Sequence, residues 1–258
     1  MTWLFIMGFT ILLFISGIVY ICKQMKKFGI KNRFVPYLII LVFITLLSLI
    51  LNYSTTIIIT IHYLVIWLFM DLLFFIIKKI RKQDFKYYIS GILAIIFTTI
   101  YVIFGVYNVY DVKKIEYNLN SAKINDSYKI TLISDSRLGT TFDAYGFNKY
   151  LKIIEKENPD MLLIAGDFVD DGTSKTEMIK ASKYLGNIKT KYGVYFAHGN
   201  HDKGYYGEKR GYTSTDLENE LTKNGVKILK DESTLINNEI YLIGRQDFEN
   251  LNRMDIIL

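Results

Sequence analysis

Gly199, Asn200, His201 and Asp202 follow one another directly after a short apolar run, and two blocks of the same kind precede them. The earlier blocks are Ser134-Asp135-Ser136-Arg137 and Gly166-Asp167-Phe168-Val169-Asp170. Each closes a β-rich stretch, at residues 129–133, 161–165 and 194–197 respectively. A lone Asp at a strand end is ordinarily a cap or a turn residue. Three blocks in step with three strands point instead to a site for metal ions and phosphate. Carboxylate, carboxamide and imidazole together suit Mn, Fe or Zn. Two such ions about 3.5–4 Å apart can hold both the attacking and the leaving oxygen of an in-line phosphoryl displacement.

The elements that must position these blocks can be read around them. A strand at 129–134 leads through a Gly/Thr-containing loop into a helix at 146–157, with Tyr150, Ile153 and Ile154 on one face and Asn158-Pro159 ending it. A strand at 161–165 is followed by a helix at 174–188. A third strand at 193–197 is followed by a helix at 214–224 that Gly225 closes. Further strands are expected at 226–229, 234–236 and 239–243, and an edge strand at 114–119 within a polar linker, 111–127. Successive βαβ units imply a mainly parallel sheet flanked by helices, with its site outside the carboxyl ends of the strands. All three blocks fall there.

The trio resembles the calcineurin-like metallophosphoesterases, in which the blocks read D-x-H, G-D-x-x-D and G-N-H-D/E. The resemblance covers residues 128–258 and implies an α/β metallophosphoesterase domain with two divalent ions (Mn, Fe or Zn). By that resemblance Asp167 bridges the ions, Asp135 binds the first and the Asn200 amide oxygen binds the second. His201 is then expected to contact the phosphate and protonate the leaving oxygen, with Asp202 orienting its ring. His198 reads as a strand-end residue beside the substrate. Asp170 and Asp171 are equally compatible with capping the next helix and with a contact behind the site.

Two departures from the family pattern stand out. Where the family has histidine, this chain has Arg137, whose guanidinium has no lone pair to offer a metal but can clamp a phosphate through paired donors. In addition, no histidine follows Asp202, although the family places further histidines downstream. The domain therefore reads as incomplete at its C-terminus, covering about the first two-thirds of the family domain, with the missing histidines expected beyond Leu258. A chain with this ligand set is expected to hold two ions, one or none. It reads either as a metal-dependent phosphoesterase or as a non-catalytic, phosphoesterase-like domain that binds an anionic ligand.

The first 110 residues are of a different kind. Four apolar runs, at 2–22, 35–51, 57–77 and 88–109, are each near the ~20 residues that cross ~30 Å of hydrocarbon. The expectation is an α-helical anchor of four transmembrane helices at 1–110, a linker at 111–127 and the α/β domain at 128–258. Only His62 and Asp71 place ionisable groups in these runs. Asp71 lies six residues before Ile77, about 9 Å from the end of its span, and is expected to meet Lys78 or Lys79, or water. His62 is half a turn out of phase with it and makes no same-face pair.

Charge orients the anchor. One loop carries Lys23, Lys26, Lys27, Lys31 and Arg33, and another Lys78, Lys79, Arg81, Lys82 and Lys86, whereas residues 52–56 carry no charge. By the positive-inside rule both basic loops are cytoplasmic, so the N-terminus and the α/β domain lie outside the cytoplasm of a multi-pass membrane protein. Of the 31 basic and 25 acidic residues, 10 and 2 precede Asp111, so the net +6 resides in loops facing anionic lipid. That distribution argues against nucleic acid as a partner and leaves membrane lipids and a phosphorylated small molecule or lipid. No protein partner is readable. The single cysteine, Cys22, excludes a disulfide within the chain.

Overall fold

The computed structural model describes residues 2–51, 53–204 and 210–248. The chain divides into two compact units, Met1–Lys113 and Lys114–Leu258.

Among the described residues, the elements of the first unit are all helical: α1 (Thr2–Met25), α2 (Val35–Ile50), α3 (Tyr53–Arg81) and α4 (Ile89–Tyr110), with a 3-10 turn at Lys26–Phe28 after α1. Four helices are present, but the expectation of four spans is met only in part. Among the described residues, two helices, Thr55–Arg81 and Ile89–Tyr110, are long and apolar enough to cross a membrane. Helix α2, with 16 residues, reaches only about 24 Å at 1.5 Å per residue. Hydroxyls inside the helices return their protons to the backbone one turn earlier, Thr60 to Thr56 and Thr98 to Ala94. His62 is likewise satisfied locally, through Nδ1 to the Ile58 carbonyl at 2.8 Å, and its ring stacks on Tyr101.

Asp71 meets neither Lys78 nor Lys79, contrary to the sequence expectation. Its carboxylate accepts hydrogen bonds from Tyr20 (2.6 Å), Tyr88 (2.7 Å) and Ser90 (2.6 Å), and Trp67 Nε1 donates to the Tyr88 hydroxyl at 2.8 Å. Lys78 pairs with Asp84 instead. The reason is geometric: α1, α3 and the start of α4 converge at Asp71, and three hydroxyls lie closer than any ammonium.

The second unit is an α/β fold in which the helices pack on one face of a parallel sheet and a hairpin packs on the other. Strands β1 (Ile130–Ile133), β2 (Met161–Ala165), β3 (Gly193–Ala197) and β4 (Lys227–Ile228) form one parallel sheet in sequence order, with Ile133 opposite Ile164 and Ala165 opposite Ala197. Helices α5 (Ala144–Lys156), α6 (Lys175–Gly186) and α7 (Ser214–Lys223) supply the crossovers. Strands β5 (Glu232–Ile236) and β6 (Ile240–Gly244) make a separate antiparallel hairpin. The core is built from Leu162, Ile164, Val194 and Phe196 of the sheet against Phe147, Leu151, Met178, Leu185, Leu217 and Leu221 of the helices.

Two local expectations are corrected. Helix α5 begins two residues earlier than its apolar pattern suggests, because the Asp143 side chain caps it by accepting the Gly146 N–H at 2.6 Å. Its buried face is Ala144, Phe147 and Leu151, whereas Ile153 is exposed. The edge strand expected at 114–119 does not form: residues 111–129 hold no strand, and Ile115, Tyr117 and Leu119 are exposed. The linker is tethered by polar groups instead, with Glu239 accepting from Asn125, Asp126 and Tyr128.

Candidate active site

The three blocks sit on three successive turns at the carboxyl ends of β1, β2 and β3, and backbone hydrogen bonds fasten them side by side. Asp135 N–H donates to Gly166, Arg137 N–H to Asp167 and Leu138 N–H to Phe168, at 3.1, 2.9 and 3.0 Å. The buried Ser136 hydroxyl adds a bond to the Phe168 carbonyl at 3.0 Å. The second and third turns approach even more closely. A Cβ on Gly199 would fall 2.6 Å from the Asp167 nitrogen, and one on Gly166 2.7 Å from the Gly199 nitrogen. Both glycines are therefore required by the approach of two backbones.

Asp135, Arg137 and Asp167 all adopt left-handed backbone, with φ of 53°, 40° and 51°. Such residues cost about 1–3 kcal/mol each and persist only where their surroundings hold them. Here the strain aims three side chains at one point. The Arg137 guanidinium donates to Asp167 Oδ2 at 2.9 Å and to Asp135 Oδ1 at 3.3 Å, and its Nη1 lies 3.0 Å from His201 Nε2. A guanidinium only donates, so Nε2 is the acceptor and Nδ1 carries the ring hydrogen. That hydrogen is received by Asp170 Oδ1 at 2.8 Å, with Asp171 Oδ2 at 3.4 Å. The other Asp170 oxygen accepts from the Thr140 hydroxyl at 2.7 Å.

Several of the expected site residues therefore meet, and two do different work from that expected. Asp135, Arg137, Asp167 and His201 come together in one cluster, with Asn200 half-buried on the same turn as His201. Asp202, expected to orient the His201 ring, lies beneath the turns. It is fully buried and accepts the backbone N–H groups of Asp167 (2.8 Å), Val169 (3.1 Å) and Gly199 (2.9 Å). Burial pushes its carboxyl up to about 7, against the opposing pull of those N–H donors. The ring-orienting carboxylate is Asp170. His198, expected beside the substrate, is buried against Phe196 with Nε2 2.9 Å from Glu218 of α7. Burial lowers it to about 4, although Glu218 pulls the other way, so it packs as a neutral ring.

Arg210 had no signal in the sequence beyond being one basic residue in a Gly-containing stretch. It is buried and donates to the carbonyls of His201 (2.9 Å) and Asp202 (2.8 Å), which fixes the third turn from below. Residues 205–209, which precede Arg210, lie outside the described residues.

The donor set can be tested against the ions that the resemblance implies. The two-ion set does not fit this geometry, because a guanidinium fills the space between Asp135, Asp167 and His201. A different group of donors, Asp170, Asp171 and His201, has its ligand atoms within 4.8 Å of one another, close enough to surround one cation that takes the place of the Nδ1 hydrogen.

A parallel sheet that gathers carboxylates, an imidazole and a guanidinium at the ends of its strands follows the rule that open α/β sheets form their ligand sites outside the carboxyl ends of the strands. Comparison with known proteins goes further. Residues 128–256, half of the chain, match the family model of the calcineurin-like phosphoesterases. The chain is 31% identical over 119 residues to a zebrafish transmembrane protein with metallophosphoesterase domain, a segment that is 45% of this chain and 26% of the fish protein. It is 25% identical over 146 residues to an uncharacterized metallophosphoesterase of Campylobacter jejuni, 53% of this chain and 37% of that protein. A bovine transmembrane protein with metallophosphoesterase domain is 33% identical over 81 residues, 31% of this chain and 17% of the bovine one. The chain thus spans well under half the length of these relatives. It belongs to the calcineurin-like phosphoesterases, a family of metal-dependent hydrolases acting on phosphoesters.

Proposed function

We propose that this chain is a membrane-anchored phosphoesterase that hydrolyses a phosphomonoester or phosphodiester at the extracytoplasmic face. The observation that carries the reading is the convergence of Asp135, Arg137, Asp167 and His201 at the ends of three adjacent strands. Arg137, held by Asp167 and Asp135, keeps a guanidinium charge at the site that favours a phosphate group there. His201 is oriented through Nδ1 by Asp170, with Asp171 nearby, so two carboxylates flank the ring when it carries a proton at Nε2 for the leaving oxygen. Asp167 and Asn200 are the oxygen donors we assign to a divalent ion, which, when bound, supplies charge stabilisation at the phosphate. Asp202 and His198 support the turns from inside.

In this reading residues 1–110 form four spans, 111–127 the linker and 128–258 the hydrolytic domain. By the positive-inside rule, the two basic loops support an orientation with that domain outside the cytoplasm. A phosphorylated lipid or cell-wall precursor is a fitting substrate for a hydrolytic domain carried on the same chain as a membrane anchor.

The test uses the full chain in detergent with Mn and p-nitrophenyl phosphate or its bis-ester. Hydrolysis is expected, and His201→Ala should lower kcat by about 10²–10⁴-fold without changing the melting temperature. Absence of turnover in the unsubstituted protein, or equal turnover in the variant, overturns the proposal. For orientation, Cys22→Ser with Ser121→Cys should react with a membrane-impermeant maleimide on intact cells. Protection until lysis would place the domain inside.

A further inference from the structure

We infer that Arg137 is a built-in counter-cation: its guanidinium takes the place between Asp135 and Asp167 where a first divalent ion is otherwise expected, so that the site holds at most one such ion. The inference rests on the reading of this cluster as the phosphoester site, but not on turnover.

The contacts are those of a cation with its ligands. Nη2 lies 2.9 Å from Asp167 Oδ2 and 3.3 Å from Asp135 Oδ1, and Nη1 lies 3.0 Å from His201 Nε2. The three groups face one positive centre from three directions. Exposure decides which contact matters most. The Asp135 side chain is 63% exposed, so its pair with Arg137 is largely screened. The Asp167 side chain is 11% exposed, so its pair with Arg137 is screened far less.

The backbone leaves the guanidinium little choice of position. Arg137 N–H is bonded to the Asp167 carbonyl, and the residues on either side are fastened to Phe168. The side chain therefore starts within the second turn's reach, from a left-handed φ of 40° that aims it there.

An ion entering between Asp135 and Asp167 meets two obstacles. The imidazole it would use is replaced by a group with no lone pair. It must also displace the guanidinium or sit beside it, and two positive charges a few ångströms apart in a partly desolvated site repel strongly. One positive charge already satisfies Asp167, so a second finds fewer donors and a like-charged neighbour.

The experiment counts ions in the full chain purified in detergent. The protein is stripped with chelator, reloaded with excess MnCl2, desalted and analysed for bound Mn per chain. We expect no more than one Mn in the unsubstituted protein and one more in Arg137→His, which restores an imidazole and removes the charge. Arg137→Lys keeps the charge without adding a ligand and should match the unsubstituted protein. Two Mn per unsubstituted chain overturn the inference by themselves, even if a variant fails to fold. So does a folded Arg137→His that holds no more Mn than its parent, or a lysine variant that gains an ion. A failure of hydrolysis leaves these counts unaffected, so the two proposals fail separately.

Discussion

Asp71 in the helical unit and Asp202 in the α/β unit are each surrounded by three hydrogen-bonding groups, but the groups are of different kinds. In the helical unit Asp71 is held by three side-chain hydroxyls, from Tyr20, Tyr88 and Ser90. In the α/β unit Asp202 is held by three backbone N–H groups, from Asp167, Val169 and Gly199. The difference follows from what the backbone has left to give. Inside a helix every N–H is already spent on its own helix, so only side chains can reach across to a neighbour. Turns at strand ends leave N–H groups unspent, and a single buried acceptor can gather them from two turns at once. The first arrangement joins helices, whereas the second shapes the backbone that carries a site.

Removing the two acceptors should separate the arrangements by size of effect. Asp202→Ala leaves three buried N–H groups without an acceptor, and each such group costs about 1–3 kcal/mol. We expect a loss of roughly 3–5 kcal/mol in the α/β unit, measured as a lower urea midpoint, with His201 and Asp167 drifting apart. A loss under about 1 kcal/mol would mean that water replaces the carboxylate and that the turns hold themselves.

Asp71→Ala should cost less. Hydrogen bonds between membrane helices are worth about 0.6–2 kcal/mol each, because the separated helices find other partners. We expect a fall of about 1–2 kcal/mol in the helical unit, read by denaturation with increasing SDS, and a smaller fall for Asp71→Asn, which keeps an acceptor. A cost equal to that of Asp202→Ala would erase the contrast.

The smallest effect belongs to a carboxylate on the surface. Glu157 is lowered to about 2 by hydrogen bonds from Lys129 and Lys114. A lowered folded value means that its contribution is present above the ordinary carboxyl range near 4.5 and is lost as pH falls towards 2. Because the group is exposed, the contribution should be slight and fade with salt. Melting scans from pH 6 to 2 should show Glu157→Gln losing marginally less stability than its parent. Parallel curves would show that the ion pairs contribute nothing.

Much of the α/β unit was legible because its signals are local. Apolar β-rich runs ending in Gly-Asp or Gly-Asn-His-Asp announce strands, their turns and the charged groups on them. The Asp143 cap was missed because it lies outside the apolar period. The strand expected at 114–119 failed because β propensity forms no strand without a partner edge. In the first unit, hydropathy located four helices, yet length separates α2 from α3 and α4 as candidates to cross a membrane.

The cluster was legible as a list of residue types and not as a set of partners. Spacing alone placed Asp135, Asp167 and His201 at neighbouring strand ends, since parallel βαβ order allows little else. It could not say that Asp170 rather than Asp202 meets the His201 ring, or that Arg210 closes the turn from beneath. Nor could it say that Arg137 points inward between two carboxylates. Those pairings depend on turn dihedrals and on which backbone N–H groups remain unspent once the turns pack, and both exist only after the chain has folded.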